Sequence, residues 1–259
     1  MSTFRPCVLF LSGHDPGGGA GVQADLETAA ALGGHGVSLI TAHTVQDTRD
    51  VVAVRAPDLT LLREQAAVLL ADVPVRALKV GLLGAPEQVP FVVELIQRTG
   101  VPAVVDPVLR AGGGADLASA ALVEALRRAL PRVEVLTPNA AEARRLVPEA
   151  RDLDAAGAAL VALGANHVLI TGGDEPANDT AGAVVNRWYR KGGAPRTFSW
   201  PRLPGAFHGA GCTLAAAIAT LLAQASPIDA ALADAQAFTH RALERAFGAG
   251  RGRLVPGRR

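Results

Sequence analysis

Short apolar, β-branched runs alternate along this chain with longer stretches of helical periodicity. An apolar run at 7–12 is broken by Gly17, Gly18 and Gly19, and a helical pattern over 20–32 stops at Gly33-Gly34. This predicts a strand, a glycine turn and a helix. A second strand is predicted at 37–44. Next comes a helix over 58–71, with Leu61, Leu62, Gln65, Val68 and Leu69 at near-helical spacing. A strand at 76–83, a helix at 87–98 and a strand at 103–108, punctuated by Asp106-Pro107, follow in turn. The pattern then gives a helix at 117–130, a strand at 133–137 ending at Pro138-Asn139, helices at 140–146 and 153–163, and a strand at 167–171 closed by Gly172-Gly173. Polar alternation over 182–190 and 196–200, separated by Lys191-Gly192-Gly193, predicts an antiparallel hairpin at a sheet edge. Two Ala-rich helices at 210–224 and 228–247 finish the pattern, and the Gly- and Arg-rich tail 248–259 reads as frayed. With no repeat and no linker, the expectation is one domain over 1–259. It is a three-layer α/β fold with a mostly parallel central sheet and helices on both faces.

Composition narrows the partners. A chain of 259 residues with 49% apolar and 19% charged residues buries a core without staples and is not disordered. Its net charge of +1 supplies no field to recruit nucleic acid or an anionic membrane, and 4% aromatic content argues against base-stacking platforms. No apolar stretch reaches the roughly 18 residues that cross a bilayer, and the first apolar run is short for a signal peptide. Cys7 and Cys212, the two cysteines, fit no zinc or redox spacing. A reducing cytoplasm is therefore expected, with Cys7 as inert core. Partners are expected to be small molecules recognised in a pocket.

Ligands of open parallel sheets bind beyond the carboxyl ends of the strands, and the unusual residues cluster there. The strongest local signal is Phe207-His208-Gly209-Ala210-Gly211-Cys212-Thr213-Leu214, leading straight into a helix. Amide hydrogens of Gly209, Ala210 and Gly211 at a helix start can hold a phosphate or stabilise a phosphoryl group in transfer. A thiol there is expected to have a lowered pKa, which makes Cys212 a candidate general base; the bland alternative is a glycine-rich helix start with a small buried Cys. The loop Gly13-His14-Asp15-Pro16-Gly17-Gly18-Gly19-Ala20-Gly21 lacks the Lys-Ser/Thr pair of a P-loop and instead suits close approach to a flat molecule. Asp25 can either hydrogen-bond such a ligand or be a solvated charge favoured by its helix dipole. Gln46, both donor and acceptor, can read a ring nitrogen and its amine together. Asp106 with Asn139 and Glu142 can position Mg²⁺ through waters, while Asn139 and Glu142 read equally as an N-cap and its capping-box partner.

Taken together, these stretches resemble the hydroxymethylpyrimidine/phosphomethylpyrimidine kinases of thiamine biosynthesis, within the ribokinase-like superfamily. The resemblance runs in order through residues 12–25, Ile40-Thr41-Ala42 to Gln46 and Thr48, and Lys79-Val80-Gly81-Leu82-Leu83-Gly84. It continues through Asp106-Pro107-Val108, Thr137-Pro138-Asn139-Ala140-Ala141-Glu142-Ala143 and His208-Gly209-Ala210-Gly211-Cys212-Thr213-Leu214. It implies a ribokinase-like fold and phosphorylation of the hydroxymethyl group and then of the monophosphate. It implies an anion hole at Gly209–Cys212 with Cys212 as base, and Asp25 and Gln46 on the pyrimidine, in a pocket lined by Gly13, Leu82 and Val108. Asn139 and Glu142 are implied to organise Mg²⁺ around ATP with support from Asp106, and Thr171 and Gly173 to lie by the nucleotide. A homodimer is implied, and a monovalent cation is left open. The chain departs from the family at Thr171-Gly172-Gly173-Asp174, where Lys-Gly-Gly-His is usual, at Arg110-Ala111-Gly112-Gly113-Gly114, where a Lys is usual, and at Ala210, where Thr is usual. These departures bear on the second phosphorylation. Two other readings stand beside this one: a pyridoxal kinase of the same superfamily, and a non-catalytic pyrimidine-binding regulator.

Overall fold

Residue alternation in the strands sets the layers. In β1 (Cys7–His14) Val8 and Phe10 face one apolar cluster and Leu9 and Leu11 the other, all fully buried. The same division runs through β4 (Val75–Val80), β5 (Ala103–Val105), β6 (Val135–Leu136) and β7 (His167–Ile170). The structure, a computed structural model, describes residues 5–110, 118–176 and 182–259. Helices α1 (Gly21–Ala31), α7 (Ala210–Ala223) and α8 (Ile228–Glu244) cover one face. Helices α2 (Leu59–Asp72), α3 (Gln88–Thr99), α4 (Ala120–Ala129), α5 (Ala140–Leu146) and α6 (Leu153–Ala162) cover the other.

The described strands form one sheet in the order β3-β2-β1-β4-β5-β6-β7-β8-β9. From β2 (His35–Gln46) to β7 the neighbours pair in parallel. The expected hairpin is β8 (Ala183–Arg190) with β9 (Arg196–Pro201), antiparallel at one edge. At the other edge β3 (Val51–Arg55) pairs antiparallel with β2, a strand the sequence pattern did not reveal. No residue of β3 is buried, so the two-residue rhythm that marks a half-buried strand is missing there. The start of the helix expected at 117–130 and the glycine stretch 111–114 lie outside the described residues.

The tail expectation is corrected. Residues 247–258 are docked. Phe247 and Val255 exchange backbone hydrogen bonds, and Leu254 N–H donates to Ala206 while its carbonyl accepts from His208. Val255 is 4% and Arg258 2% exposed. Glycine and arginine suggested disorder by composition, but the backbone of this segment finds partners in three loops and one of its arginines is engulfed. Helix α8 also ends earlier than its apolar pattern, at Glu244.

Helix α7 is held close to the sheet by small residues. Ala215, Ala216, Ala217 and Ala219 are all fully buried beneath it, and interiors this tightly filled resist added volume. Ala216→Leu should therefore lower stability by about 1–3 kcal/mol, read as a lower urea midpoint at unchanged slope; an unchanged midpoint would show slack between α7 and the sheet.

Candidate active site

A cleft of about 630 Å³ opens at the carboxyl ends of the parallel strands, within the size range of small-molecule sites. Gly13 and His14 at the end of β1, Gln46 at the end of β2, Asp106 after β5, Asn139 after β6 and Thr171 after β7 all line it. So does the whole start of α7 from Gly209 to Cys212.

Two backbone segments meet at the floor. Gly209 adopts φ +93°, and a Cβ there would lie 1.9 Å from the carbonyl oxygen of Gly19, so only glycine permits the approach. Gly21 is under the same constraint: φ is +61° and a Cβ would fall 2.1 Å from the Gly13 carbonyl oxygen. Buried Asp15 locks the junction. Its carboxylate accepts from the amides of Gly17 (2.8 Å) and Ala20 (2.9 Å) and pairs with Nε2 of His208 at 2.9 Å. Burial alone raises its pKa, but the His208 contact and the two amides outweigh this and hold it below the usual carboxylate value. Amides in the first turn of α7 have no intrahelical acceptor, and those of Ala210, Gly211 and Cys212 belong to residues on the cleft wall.

Behind this junction lies a buried charge network. Lys79 shares the face of β4 opposite to Leu78 and Val80. Its Nζ donates to Ser12 Oγ and Asp25 Oδ2, each at 3.0 Å, while Ser12 Oγ donates to the same carboxylate oxygen at 2.5 Å. The Lys79 and Asp25 side chains are both fully buried. Burial by itself lowers the Lys79 pKa; the charges of Asp25, Cys212 and Asp106 reverse this and keep the ammonium protonated. Gly81 makes room for it, since a Cβ there would stand 2.7 Å from Nζ.

The thiol of Cys212 faces these groups, and here an expectation is corrected. Its pKa is pushed up to about 11, not lowered. Burial is the main cause, and Asp106 and Asp25 add to it; Lys79 and the amide of Gly21 pull the other way without prevailing. The helix start suggested a thiolate, but the fold buries the sulfur and brings two carboxylates near it.

On the opposite wall Asn139 and Glu142 form the capping box of α5. Asn139 Oδ1 accepts from the Glu142 amide at 2.8 Å and Glu142 Oε2 from the Asn139 amide at 3.0 Å; Oε1 accepts from the Leu109 amide at 3.1 Å. Both residues also line the cleft. Burial, then the neighbouring Asp106, push the Glu142 carboxyl up to about 8, and its two amide partners and the more distant Asp174 act as smaller influences in opposite directions. Burial pushes Asp106 up to about 6, with Asp25 adding to the rise and Lys79 opposing it. Asp174 accepts from the amides of Ala140 and Ala141 at 3.1 and 2.9 Å. Among the described residues, no group of three or more His, Cys, Asp or Glu side chains could hold a metal directly.

Of the residues singled out by sequence, Gly13, Gln46, Leu82, Val108, Thr171 and Gly173 line the cleft. Asp25 does not. It is fully buried, bound to Ser12 of β1 and Lys79 of β4 rather than free to contact a ligand, because α1 packs between α7 and the strands β1 and β2. Cys7 opens β1 at the end far from the cleft, is partly exposed and donates weakly to the Arg5 carbonyl, so it is not core. Lys79, Asp15 and His208 were missed as functional groups. A charged residue inside an otherwise apolar strand was the available signal for Lys79; the Asp15–His208 contact spans 193 positions and has no local signature.

A parallel sheet with ligand-facing loops at its carboxyl edge and an amide-bearing helix start in the cleft defines a ribokinase-like phosphotransferase. The profile of the phosphomethylpyrimidine kinase family matches residues 15–256, and the chain belongs to that family. A hydroxymethylpyrimidine/phosphomethylpyrimidine kinase from Streptomyces coelicolor is 39% identical over 253 residues, covering 95% of this chain and 92% of the relative. Among solved structures, a phosphomethylpyrimidine kinase from Clostridium difficile superposes with TM-score 0.78 at 30% identity, over 92% of this chain and 100% of that one. A pyridoxal kinase from Staphylococcus aureus, in complex with AMP-PCP and pyridoxal, superposes with TM-score 0.88 at 26% identity, over 98% and 94%.

Two measurements check the electrostatics. In a Cys7→Ser background, alkylation of Cys212 by iodoacetamide should accelerate about tenfold per pH unit through about pH 9; a plateau near neutrality would show an ionised thiol. Glu142 and Asp106 have folded pKa values above their ordinary ones. Their contribution to stability is therefore full below about pH 4 and drains away as pH climbs through about 6 and then 8. The melting temperature of the ligand-free chain should fall over that window, and Glu142→Gln should flatten the upper part of the fall. An equally steep fall in that variant would assign it to other groups.

Proposed function

We propose that this chain transfers the γ-phosphoryl group of ATP to the primary alcohol of 4-amino-5-hydroxymethyl-2-methylpyrimidine, and then phosphorylates the resulting monophosphate, in thiamine biosynthesis. Family membership makes it a kinase. The observation that carries the reading is the convergence of the α7 start, the Cys212 sulfur and Asp106 on one cleft floor. Asp106 faces that helix start closely: a Cβ on Gly211 would lie 3.5 Å from its Oδ2.

The acceptor ring occupies the end lined by Gly13, Gln46, Leu82 and Val108, where apolar side chains contact the ring and the Gln46 amide reads the aminopyrimidine edge. Ionised Cys212 takes the hydroxyl proton as the oxygen bonds to the γ-phosphorus and the bond to the ADP oxygen breaks. The amides of Ala210, Gly211 and Cys212 meet the charge spread over the transferring oxygens. A thiol with a raised pKa is rarely ionised at neutral pH but is a strong base when it is. Phosphoryl transfer through a loose transition state asks for little proton removal before the phosphorus moves. Lys79, permanently charged behind the sulfur, stabilises its ionised form.

Asp106 and Glu142 fit a hydrated Mg²⁺. They are buried carboxyls on the cleft wall, each destabilised as an anion by burial, and Glu142 further so by Asp106; these two residues would hold the hydrated cation, and its charge would relieve that destabilisation. When bound, Mg²⁺ neutralises phosphate charge. Asn139, Thr171 and Gly173 lie along the nucleotide side of the cleft. A homodimer fits the apolar, exposed Val45 and Val52 of the β2–β3 ribbon, and two unpaired cysteines fit the cytoplasm.

A second reading is phosphorylation of pyridoxal, favoured by the close superposition on a pyridoxal kinase. Purified protein with ATP and Mg²⁺ should release ADP with the pyrimidine alcohol and with its monophosphate, and little with pyridoxal. Gln46→Ala should raise KM for the pyrimidine while leaving turnover of pyridoxal as it was, and Cys212→Ala should lower kcat by about 10²–10⁴ with KM nearly unchanged. Preference for pyridoxal would establish the second reading, and full turnover by Cys212→Ala would remove the base assignment.

A further inference from the structure

The guanidinium of Arg258 occupies a position no part of the proposed chemistry uses. It is not on the cleft wall, and its side chain is fully buried directly beneath the floor. Its Nε donates to Thr213 Oγ1 at 2.9 Å, Nη2 donates to the Gly19 carbonyl, and Nη1 donates to Glu27 Oε2 at 3.2 Å. Each partner belongs to a different part of the site. Thr213 is in the first turn of α7, and both its hydroxyl (2.8 Å) and its amide (2.9 Å) donate to the Gly209 carbonyl. Gly19 is the carbonyl against which Gly209 packs, and a Cβ on Gly209 would lie 2.8 Å from Arg258 Nη2. Glu27 is on α1, the helix that begins with Gly21, whose amide points at the Cys212 sulfur.

One planar group therefore spans the glycine turn, the start of α7 and α1. The single nitrogen of a lysine could not reach three partners spread over three segments, whereas the three nitrogens of an arginine fork each reach one. The segment that delivers it is itself tied down, with Gly257 N–H donating to the Ala242 carbonyl at 2.8 Å and Arg253 N–H to the Thr48 carbonyl at 2.9 Å.

The geometry points to Arg258 as a positioning residue for phosphoryl transfer, one that fixes the amides of Gly209–Cys212 against the glycine turn without touching either substrate. The inference rests on the kinase reading and deepens it. Misplacing reacting groups by an ångström costs about 10²-fold in rate, whereas ground-state contacts to the acceptor ring and the nucleotide are made by other residues. Arg258→Ala should therefore lower kcat by about 10²-fold while KM for ATP and for the pyrimidine alcohol stays within about threefold. Ethylguanidinium in the assay should restore at least a tenth of the lost kcat, and Arg258→Lys should remain close to Arg258→Ala.

Hydrogen exchange supplies a readout independent of turnover. In Arg258→Ala, the amides of 17–21 and 209–213 should exchange at least tenfold faster, while those of α4 stay as in the unaltered chain. Where Arg258→Ala proves insoluble, Glu27→Ala removes the Nη1 acceptor without altering α7 and should give the same split between kcat and KM. Unchanged kcat, equal losses in kcat and affinity without guanidinium rescue, or faster exchange throughout the chain would each overturn the assignment. Loss of all ADP release in the unaltered chain would instead overturn the kinase reading, and the exchange pattern would still judge Arg258.

Discussion

The electrostatics of the cleft floor are set by one buried ammonium group facing more acid than it can balance. Lys79 is paired with Asp25 at 3.0 Å, yet Asp106 and the Cys212 thiol draw on the same charge, and Glu142 feels Asp106 from the opposite wall. Burial raises the pKa of even the paired Asp25, so the one ammonium does not offset it for any of these acids. Burial is the leading cause of the raised pKa values of Asp106, Glu142 and Cys212, and a neighbouring acid adds to each. Removing Asp25 would leave Lys79 buried without its partner, the costly way to break such a pair.

The departures from the family pattern take on physical meaning in this setting. Where a lysine is usual, Thr171 lies on the cleft wall, and three residues later Asp174 caps the start of α5 through the amides of Ala140 and Ala141. Relative to that pattern the cleft wall lacks a positive charge at Thr171 and gains a negative one, Asp174, within electrostatic reach of Glu142. Arg202 orders the same loop, donating to the carbonyls of Gly172, Gly173 and Glu175, but its charge is spent on backbone oxygens.

Most of the fold was legible because its strands are continuous apolar runs and its turns carry glycine or proline at the right places; β1, β4, β5 and β7 were found from that pattern alone. Strand β3 was not, since it lies at an edge with no buried side chain. The docking of 247–258 was not, because nothing local distinguishes a glycine-rich tail that finds partners from one that does not. In the site, the helix start at Gly209–Cys212 was readable from glycine spacing, and its place in the cleft followed from topology. The sign of the Cys212 shift was not readable, because it depends first on how deeply the fold buries the thiol and then on Asp106 and Asp25, which approach from the end of β5 and from α1. Asp25 itself was misread for the same reason: its partner Lys79 is 54 positions away.

The alanine helix α7 and the central strands form one tightly interlocked block, and that block carries everything proposed to meet phosphate. Gln46 and Val51, by contrast, reach the cleft from the β2–β3 ribbon, which projects from the margin of the sheet and buries no side chain of its outer strand. Only one side of the proposed acceptor pocket is thereby placed at the sheet margin, since Gly13, Leu82 and Val108 line the cleft from the ends of the central strands. A substitution in the ribbon would therefore alter the Gln46 side of the cleft while leaving the start of α7 in place.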